Sequence, residues 1–333
     1  TMSEPIITVK NLTKVYRVPE RAPGLKASLQ TLVKPQYRDV EAVIDINFSI
    51  ANGEMVALIG PNGAGKTTTL KMLSGLLYPT HGEAVVAGFT PWDREPAYLQ
   101  RISMVMGNRS AMDWNIPPLD SFRVLSKIYR VPPDQYQRTL DELIELLDME
   151  ALLKKPVRNL SLGERMKCEL VAGLLYQPEV LFLDEPTLGL DVAMQRRLRI
   201  FLRKYNQEHA VSVILTSHYM ADVSALCERV ILIHHGKLIF DGALQKLAEK
   251  LAPFKLAKLQ FNTPPVDLEG FLAQFPSVEQ LPSDGGQFTL RIPRPEVPKI
   301  TAEILAKLPI ADLSIEDPPI EAVIDQVYEE GSV

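Results

Sequence analysis

Gly60-Pro61-Asn62-Gly63-Ala64-Gly65-Lys66-Thr67 satisfies the spacing G-x-x-x-x-G-K-[ST]. A short apolar run, MVALI, precedes it, and a helical pattern beginning with Thr68 follows. In that strand–loop–helix context the glycines let consecutive backbone N–H groups turn inward as a nest for phosphate oxygens. Lys66 then supplies a cation to the β- and γ-phosphates, and the Thr67 hydroxyl reaches Mg²⁺.

Such a site needs a carboxylate for the metal and a group to act on water. The stretch EVLFLDEPTLGLD holds both. Its continuous apolar run, residues 180–183, reads as a buried parallel strand. Asp184 and Glu185 stand at its C-terminal end, where ligands of open α/β sheets collect. Asp184 is the candidate holder of the Mg²⁺ shell, and Glu185 the candidate base or water-orienting residue. A third apolar strand, VSVILTSHYM, ends on His218 in a comparable place, which makes that histidine a candidate catalytic residue beside Glu185 and Lys66. His209, His234 and His235 lack such company and read as surface or strand-end residues. One further stretch, RNLSLGERMKCEL, is an amphipathic helix whose first turn carries Ser161 and Gly163. Glycine costs a helix interior about 1 kcal/mol relative to alanine. That cost is accepted where a backbone must come close to something, and a Ser-plus-Gly helix start suits an anion.

The elements that position these groups have ordinary globular composition. The chain has 333 residues, 46% hydrophobic and 23% charged, room for roughly two domains at about 100–200 residues each. A formal net charge of -5 offers no overall basic field for nucleic acid. Cys168 and Cys227 are far apart and without metal-ligand spacing, which points to a reducing compartment rather than a disulfide framework. No uncharged apolar run approaches the ~18–20 residues of a membrane span, and no signal-peptide core is present. The expectation is a chain soluble by itself, with any membrane role acting through a partner.

The P-loop, the LSLGE stretch, the LFLDEP strand, Leu188-Gly189-Leu190-Asp191 and His218 stand in the order of the ATP-binding cassette (ABC) ATPases, from residue 6 to about residue 245. The chain resembles that family. The resemblance implies an α/β fold, a P-loop NTPase cassette with a RecA-like core plus antiparallel β and helical subdomains. It places the nucleotide-binding domain over residues 1–250 and the helical subdomain at about 108–175, with ATP and Mg²⁺ as cofactors. LSLGE resembles the family signature LSGGQ, which caps the γ-phosphate of an ATP held by a second subunit. Ser161 and Gly163 match the contacting positions, while Leu162 replaces the middle glycine and Glu164 the glutamine. One P-loop and one signature per chain imply a head-to-tail dimer, of identical subunits or close paralogues, with Asp191 communicating across it. Tyr16 resembles the aromatic that stacks on adenine, a contact worth about 1–3 kcal/mol; Tyr37 is a weaker competitor. Asn108 stands where the family has a glutamine that senses Mg²⁺ and links the site to the permease. Asparagine keeps the amide but is one methylene shorter, so contact with the metal or water would need a bridging water.

Three other segments bear on subtype. Residues 111–118 are apolar and aromatic, and an exposed Met112–Trp114 patch is expected as a partner surface, in the region where transport ATPases receive a permease coupling helix. An insert at about residues 19–40 repeats Leu25, Leu29, Leu32 and Val33 at helical spacing beside Arg17, Arg21, Lys26, Lys34 and Arg38. A short basic amphipathic helix faces a membrane surface or a partner, and this one resembles the extra helix of polysaccharide-exporting ABC ATPases. The tail, residues 251–333, reads β-α-β-β-α-β with a closing helix over PIEAVIDQVYEE, a small ferredoxin-like domain. The resemblance thus implies the ATPase subunit of an ABC exporter. It would energise transport through separate integral-membrane permease subunits, peripheral at the cytoplasmic face of the inner membrane, with no nucleic-acid partner. The alternative is a soluble ABC ATPase acting on a non-membrane partner.

Overall fold

The computed structural model describes residues 4–19, 37–107, 110–217, 219–262, 268–284 and 287–318. Asn108 and His218, most of the basic insert, and the expected closing helix lie outside the described residues. The chain divides into two units, residues 1–243 and 244–333.

In the first unit, strands β1 (Ile7–Pro19), β2 (Tyr37–Ile50), β3 (Met55–Ile59), β4 (His81–Val86), β5 (Ile102–Met106), β6 (Val180–Asp184), β7 (Ser212–Thr216), β8 (Arg229–His234) and β9 (Lys237–Ala243) form two sheets. The larger has the order β5-β6-β7-β3-β8-β9, parallel except for the β8–β9 hairpin. Strands covered on both faces must be apolar on both faces, and every residue of β6 and β7 is buried. The smaller sheet, β2-β1-β4, is antiparallel and half-covered. Its strands alternate accordingly: Ile46, Phe48 and Ile50 point inward between exposed neighbours. Ile7, Leu12 and Ile46 from this sheet share one core with Val56, Phe182 and Ile231 of the other. Helices Pro118–Ile128, Pro133–Leu147 and Leu162–Leu174 make the helical subdomain. The first two begin with proline, whose missing N–H costs nothing in a first turn.

Two expectations need correction here. The insert was placed at residues 19–40, but its flanks are strand: β1 and β2 pair antiparallel out to Pro19 opposite Tyr37. Cross-strand hydrogen bonding extends the ribbon past Tyr16, where the apolar pattern stops. The Met112–Trp114 segment is not wholly exposed either. Met112 is buried at 5% exposure, and of the segment's two apolar residues Trp114, at 49%, is the one that faces outward.

The second unit opens with the helix Leu244–Leu251, ahead of the expected boundary after residue 250. The residue after that helix is tied to this unit, since Arg294 Nε donates to the Ala252 carbonyl at 3.0 Å. Strands β10 (Phe254–Phe261), β11 (Glu279–Asp284), β12 (Gln287–Pro293) and β13 (Ile310–Glu316) alternate with helices Leu268–Leu272 and Val297–Lys307 as β-α-β-β-α-β. The sheet order β11-β12-β10-β13 with all pairs antiparallel is the ferredoxin-like arrangement. Ala257, Leu259, Leu290 and Ile292 from the central strands pack with Ile300 and Ile304 of the second helix.

Candidate nucleotide site

Strand register brings the candidate groups into one row. Met106 of β5 is opposite Asp184 of β6, Asp184 is opposite Thr216 of β7, and Thr216 is opposite Leu58 of β3, one residue short of the strand's end. The C-terminal ends of four parallel strands therefore meet where this class of sheet binds ligands.

The P-loop leaves β3 at Gly60 and enters the helix Lys66–Leu73 after Gly65, its N-cap. Two glycines are obligatory by geometry. At φ +152° a Cβ on Gly60 would lie 2.1 Å from the Ile233 carbonyl oxygen. At φ +109° a Cβ on Gly65 would lie 2.4 Å from that of Ala42. Between them the Ala64 N–H donates to the Pro61 carbonyl, and the Ala64 carbonyl accepts from Gly236, which closes the turn. Asn62 and Gly63 form its exposed tip. The N–H groups of the helix's first turn, which includes Lys66, Thr67 and Thr68, have no intrahelical acceptor and carry the positive end of the helix dipole.

Lys66 is buried at 6% exposure, and its Nζ donates to the carbonyls of Gly60 (2.6 Å) and Pro61 (3.1 Å). Burial pushes the ammonium below its usual range, while the nearby Glu185 and Asp184 carboxylates act against that shift. Thr67 Oγ1 donates to Asp184 Oδ1 and Oδ2 at 2.9 and 3.1 Å. From the other side Thr216 Oγ1 donates to Asp184 Oδ1 at 2.8 Å. A hydroxyl and a carboxylate already in contact form an all-oxygen donor set, which fits a hard divalent cation.

Glu185 has φ +52°, a conformation that costs a non-glycine residue about 1–3 kcal/mol and needs local support. Its N–H is held by the Thr216 hydroxyl at 3.0 Å and the Thr216 carbonyl at 3.2 Å. Gly107 closes on the same place: its N–H donates to the Asp184 carbonyl at 3.1 Å, and a Cβ there would lie 2.7 Å from the Glu185 carbonyl oxygen. Asn108 follows directly in the chain. Beside the expected His218, Ser217 donates to Asp222 at 3.2 Å. Asp222 also accepts from Thr187 and pairs with Arg199 at 3.0 Å, at 1% exposure.

Tyr16 is half-buried opposite Val40, with Lys14 Nζ 5.4 Å from its ring. Two residues along β2 from Val40 is Ala42, whose carbonyl abuts Gly65. That separation is about 7 Å of strand. Tyr37 is occupied differently, under the Arg17 guanidinium at 4.7 Å.

The Ser161 stretch forms a capping box. Ser161 Oγ accepts from the Glu164 N–H at 3.3 Å, and Glu164 Oε2 accepts from the Ser161 N–H at 2.8 Å. The second bond holds the Glu164 carboxyl below its usual range. At Gly163 a Cβ would lie 3.1 Å from Met194 Cγ, a tight contact to which the flexible methionine side chain would have to yield. Asp191 caps the helix Val192–His209 by accepting from the Met194 N–H at 2.8 Å. The side-chain hydrogen bonds of Ser161 and Glu164 join these two to each other, not to the P-loop.

Sequence reasoning missed Thr216, Gly107 and Asp222. The threonine ending an apolar strand was a visible signal, but its two roles depend on the β6–β7 register. The S-x-x-E spacing of Ser161 and Glu164 was a readable capping signature hidden behind the phosphate reading.

Comparison with known proteins gives two family matches. A family described as "ABC transporter" matches residues 43–188, and one described as "EvrA-like ABC transporter, C-terminal domain" matches residues 253–316. The ABC transporter ATP-binding protein NatA of Bacillus subtilis is 32% identical over 210 residues, covering 63% of this chain and 85% of that protein. The doxorubicin resistance ATP-binding protein DrrA of Mycobacterium tuberculosis is 32% identical over 211 residues, covering 63% of each. A solved ATP-binding subunit of an ABC transporter aligns with a TM-score of 0.60 at 25% identity, over 74% of this chain and 92% of that one.

Proposed function

The chain belongs to the ABC transporter ATP-binding family, and from that premise we propose that it is the ATP-hydrolysing subunit of an exporter whose permease is made of separate chains. The observation that carries this reading is the contact of Thr67 with Asp184 at 2.9 Å, directly beside Lys66 and Glu185. A P-loop that only binds nucleotide has no need of a strand-end acid pair in register with it.

In this reading the first-turn N–H groups and Lys66 hold the phosphates, and Tyr16 stacks on adenine. Thr67 and Asp184, together with Asn108, would hold Mg²⁺, which when bound would neutralise charge on the phosphoryl oxygens. Glu185 orients and deprotonates the attacking water, and His218, two residues past the end of β7 in the sequence, is assigned to the same site. Ser161, Gly163 and Glu164 close the ATP of a second subunit, with Asp191 at the shared face. The capping box supports that role, because it fixes the first turn of the helix and leaves its exposed start rigid.

The exporter assignment draws on the resistance function in the DrrA name, and the C-terminal match to EvrA-like ABC transporters supports a transporter role. Among the described residues no helix is long and apolar enough to cross a membrane, so membrane attachment falls to the permease. Glu185→Gln tests the reading: it should abolish hydrolysis while retaining ATP in a trapped dimer. Steady-state turnover near wild type would remove Glu185 from its role. Co-purification of a multi-span membrane protein from detergent extracts supports the exporter, whereas a ribosome or DNA-bound fraction would overturn it.

A further inference from the structure

Glu169 is charged, yet it sits in the helix Leu162–Leu174 at 6% exposure. Its hydrogen bonds reach out of that helix to one short segment. Oε1 accepts from the Ser110 hydroxyl, and Oε2 accepts from the Ala111 N–H at 3.0 Å. Burial pushes this carboxyl up, and the two hydrogen bonds and the Arg165 charge act against the shift without cancelling it. Burying a carboxylate on a hydroxyl and a single amide is costly. An apolar residue would pack the same helix face at lower cost, so the helix's own stability does not account for the acid.

The segment it holds explains the position better. Contacts are made on either side of residues 108–109 in the sequence: the Gly107 N–H donates to the Asp184 carbonyl at 3.1 Å, and residues 110–111 donate to Glu169. A cavity of about 190 Å³ borders the junction, lined by Gly107, Ser110, Trp114, Arg165 and Glu169. The Arg165 guanidinium lies 4.7 Å from the Trp114 ring, and its buried Nε has no hydrogen-bond partner. The Glu169 clasp is the hydrogen-bonded tie, beside the Arg165–Trp114 contact, between this stretch and the helix headed by Ser161.

We propose that Glu169 is a positioning residue for ATP hydrolysis, clasping residues 110–111, which follow Asn108 closely in the chain, to the Ser161 helix. The proposal rests on the functional reading above, which takes Asn108 and Ser161 as groups of the ATP site.

The test compares Glu169→Ala, Glu169→Gln and Ser110→Ala in the full chain, reading ATP affinity, thermal midpoint and kcat. Glu169→Ala should lower kcat about five- to tenfold with ATP affinity unchanged, the pattern of lost positioning rather than lost binding. Ser110→Ala should lower it about two- to fivefold, since one of two hydrogen bonds remains. Glutamine should restore most of the activity lost in alanine, because its amide still accepts from Ala111 and can bond Ser110. Combining Glu169→Ala with Ser110→Ala should cost no more than Glu169→Ala alone. Equal loss of affinity and kcat, or additive losses, would overturn the clasp. Should Glu169→Ala fail to fold, Ser110→Ala decides, and wild-type kcat there refutes the proposal. A wild-type protein without ATPase activity would instead refute the functional reading.

Discussion

Replacing Thr216 with valine removes one hydroxyl and adds a methyl at a position with 0% exposure. The shape is nearly kept, but two bonds go: the 2.8 Å donation to Asp184 and the 3.0 Å acceptance from the Glu185 N–H. The amide retains the Thr216 carbonyl at 3.2 Å and is not orphaned. Asp184 retains Thr67 but loses a charge-assisted partner, worth about 1.5–3 kcal/mol. Taking about 2 kcal/mol, the melting midpoint of a unit this size should fall by about 4–8 °C. The larger effect should be on turnover. The same bonds support Glu185 at φ +52°, and misplacing it by that energy costs about tenfold to a hundredfold in kcat. ATP affinity should change little, because Lys66 and the P-loop are untouched. The assay is steady-state phosphate release with calorimetric ATP titration, and Thr216→Ser as the control that keeps the hydroxyl. If Thr216→Val hydrolyses ATP at the rate of Thr216→Ser, the threonine does not support the acid pair and the argument from register fails.

Lys66→Ala should weaken ATP binding itself, and unchanged affinity by calorimetry would contradict the phosphate assignment. Ser161→Arg should block hydrolysis while ATP still binds the same chain's P-loop; it also breaks the capping box, so a loss of about 1 kcal/mol in stability should accompany it. Mixing that variant with Lys66→Ala subunits leaves each heterodimer one intact site, and the return of part of the activity is the expected result; if none returns, a crosslink between one P-loop and a partner's signature separates coupled sites from a wrong interface. The Glu164 carboxyl is held below its unfolded value, so its contribution to stability is fully present above the ordinary carboxylate pKa of about 4.3 and is lost as pH falls through the folded value. Acid melts of Glu164→Gln should therefore lose part of the wild-type pH dependence below about pH 4.3, and identical acid profiles would remove the capping role. Pro19 and Tyr37 are paired, so a short Gly-Ser turn can replace residues 20–36. That replacement should spare ATP binding and reduce transport in vesicles much more than ATPase activity; equal loss of both would make the insert a folding element.

The P-loop was legible from sequence because its constraint is local. Gly60 and Gly65 are demanded by their own dihedral angles and by carbonyls a Cβ would strike, and the motif spacing records that demand directly. Asp184 and Glu185 were legible for a related reason, since a buried strand runs apolar along its length and the first acids mark its end. The β-α-β-β-α-β order of the tail could likewise be read from alternating periodicities. What the sequence could not carry was pairing between distant segments. Thr216 acts on Asp184 only through the β6–β7 register, and Gly107 reaches the same carboxylate's backbone from β5. The flanks of the insert became strand because each found a partner across the ribbon, a preference no single window expresses. Met112 was read as exposed, yet the fold buries it and leaves Trp114 outside against Arg165. Local chemistry writes itself into residue type and spacing; a hydrogen bond between residues 67 and 184, or 169 and 110, exists only once the chain has closed the loop between them.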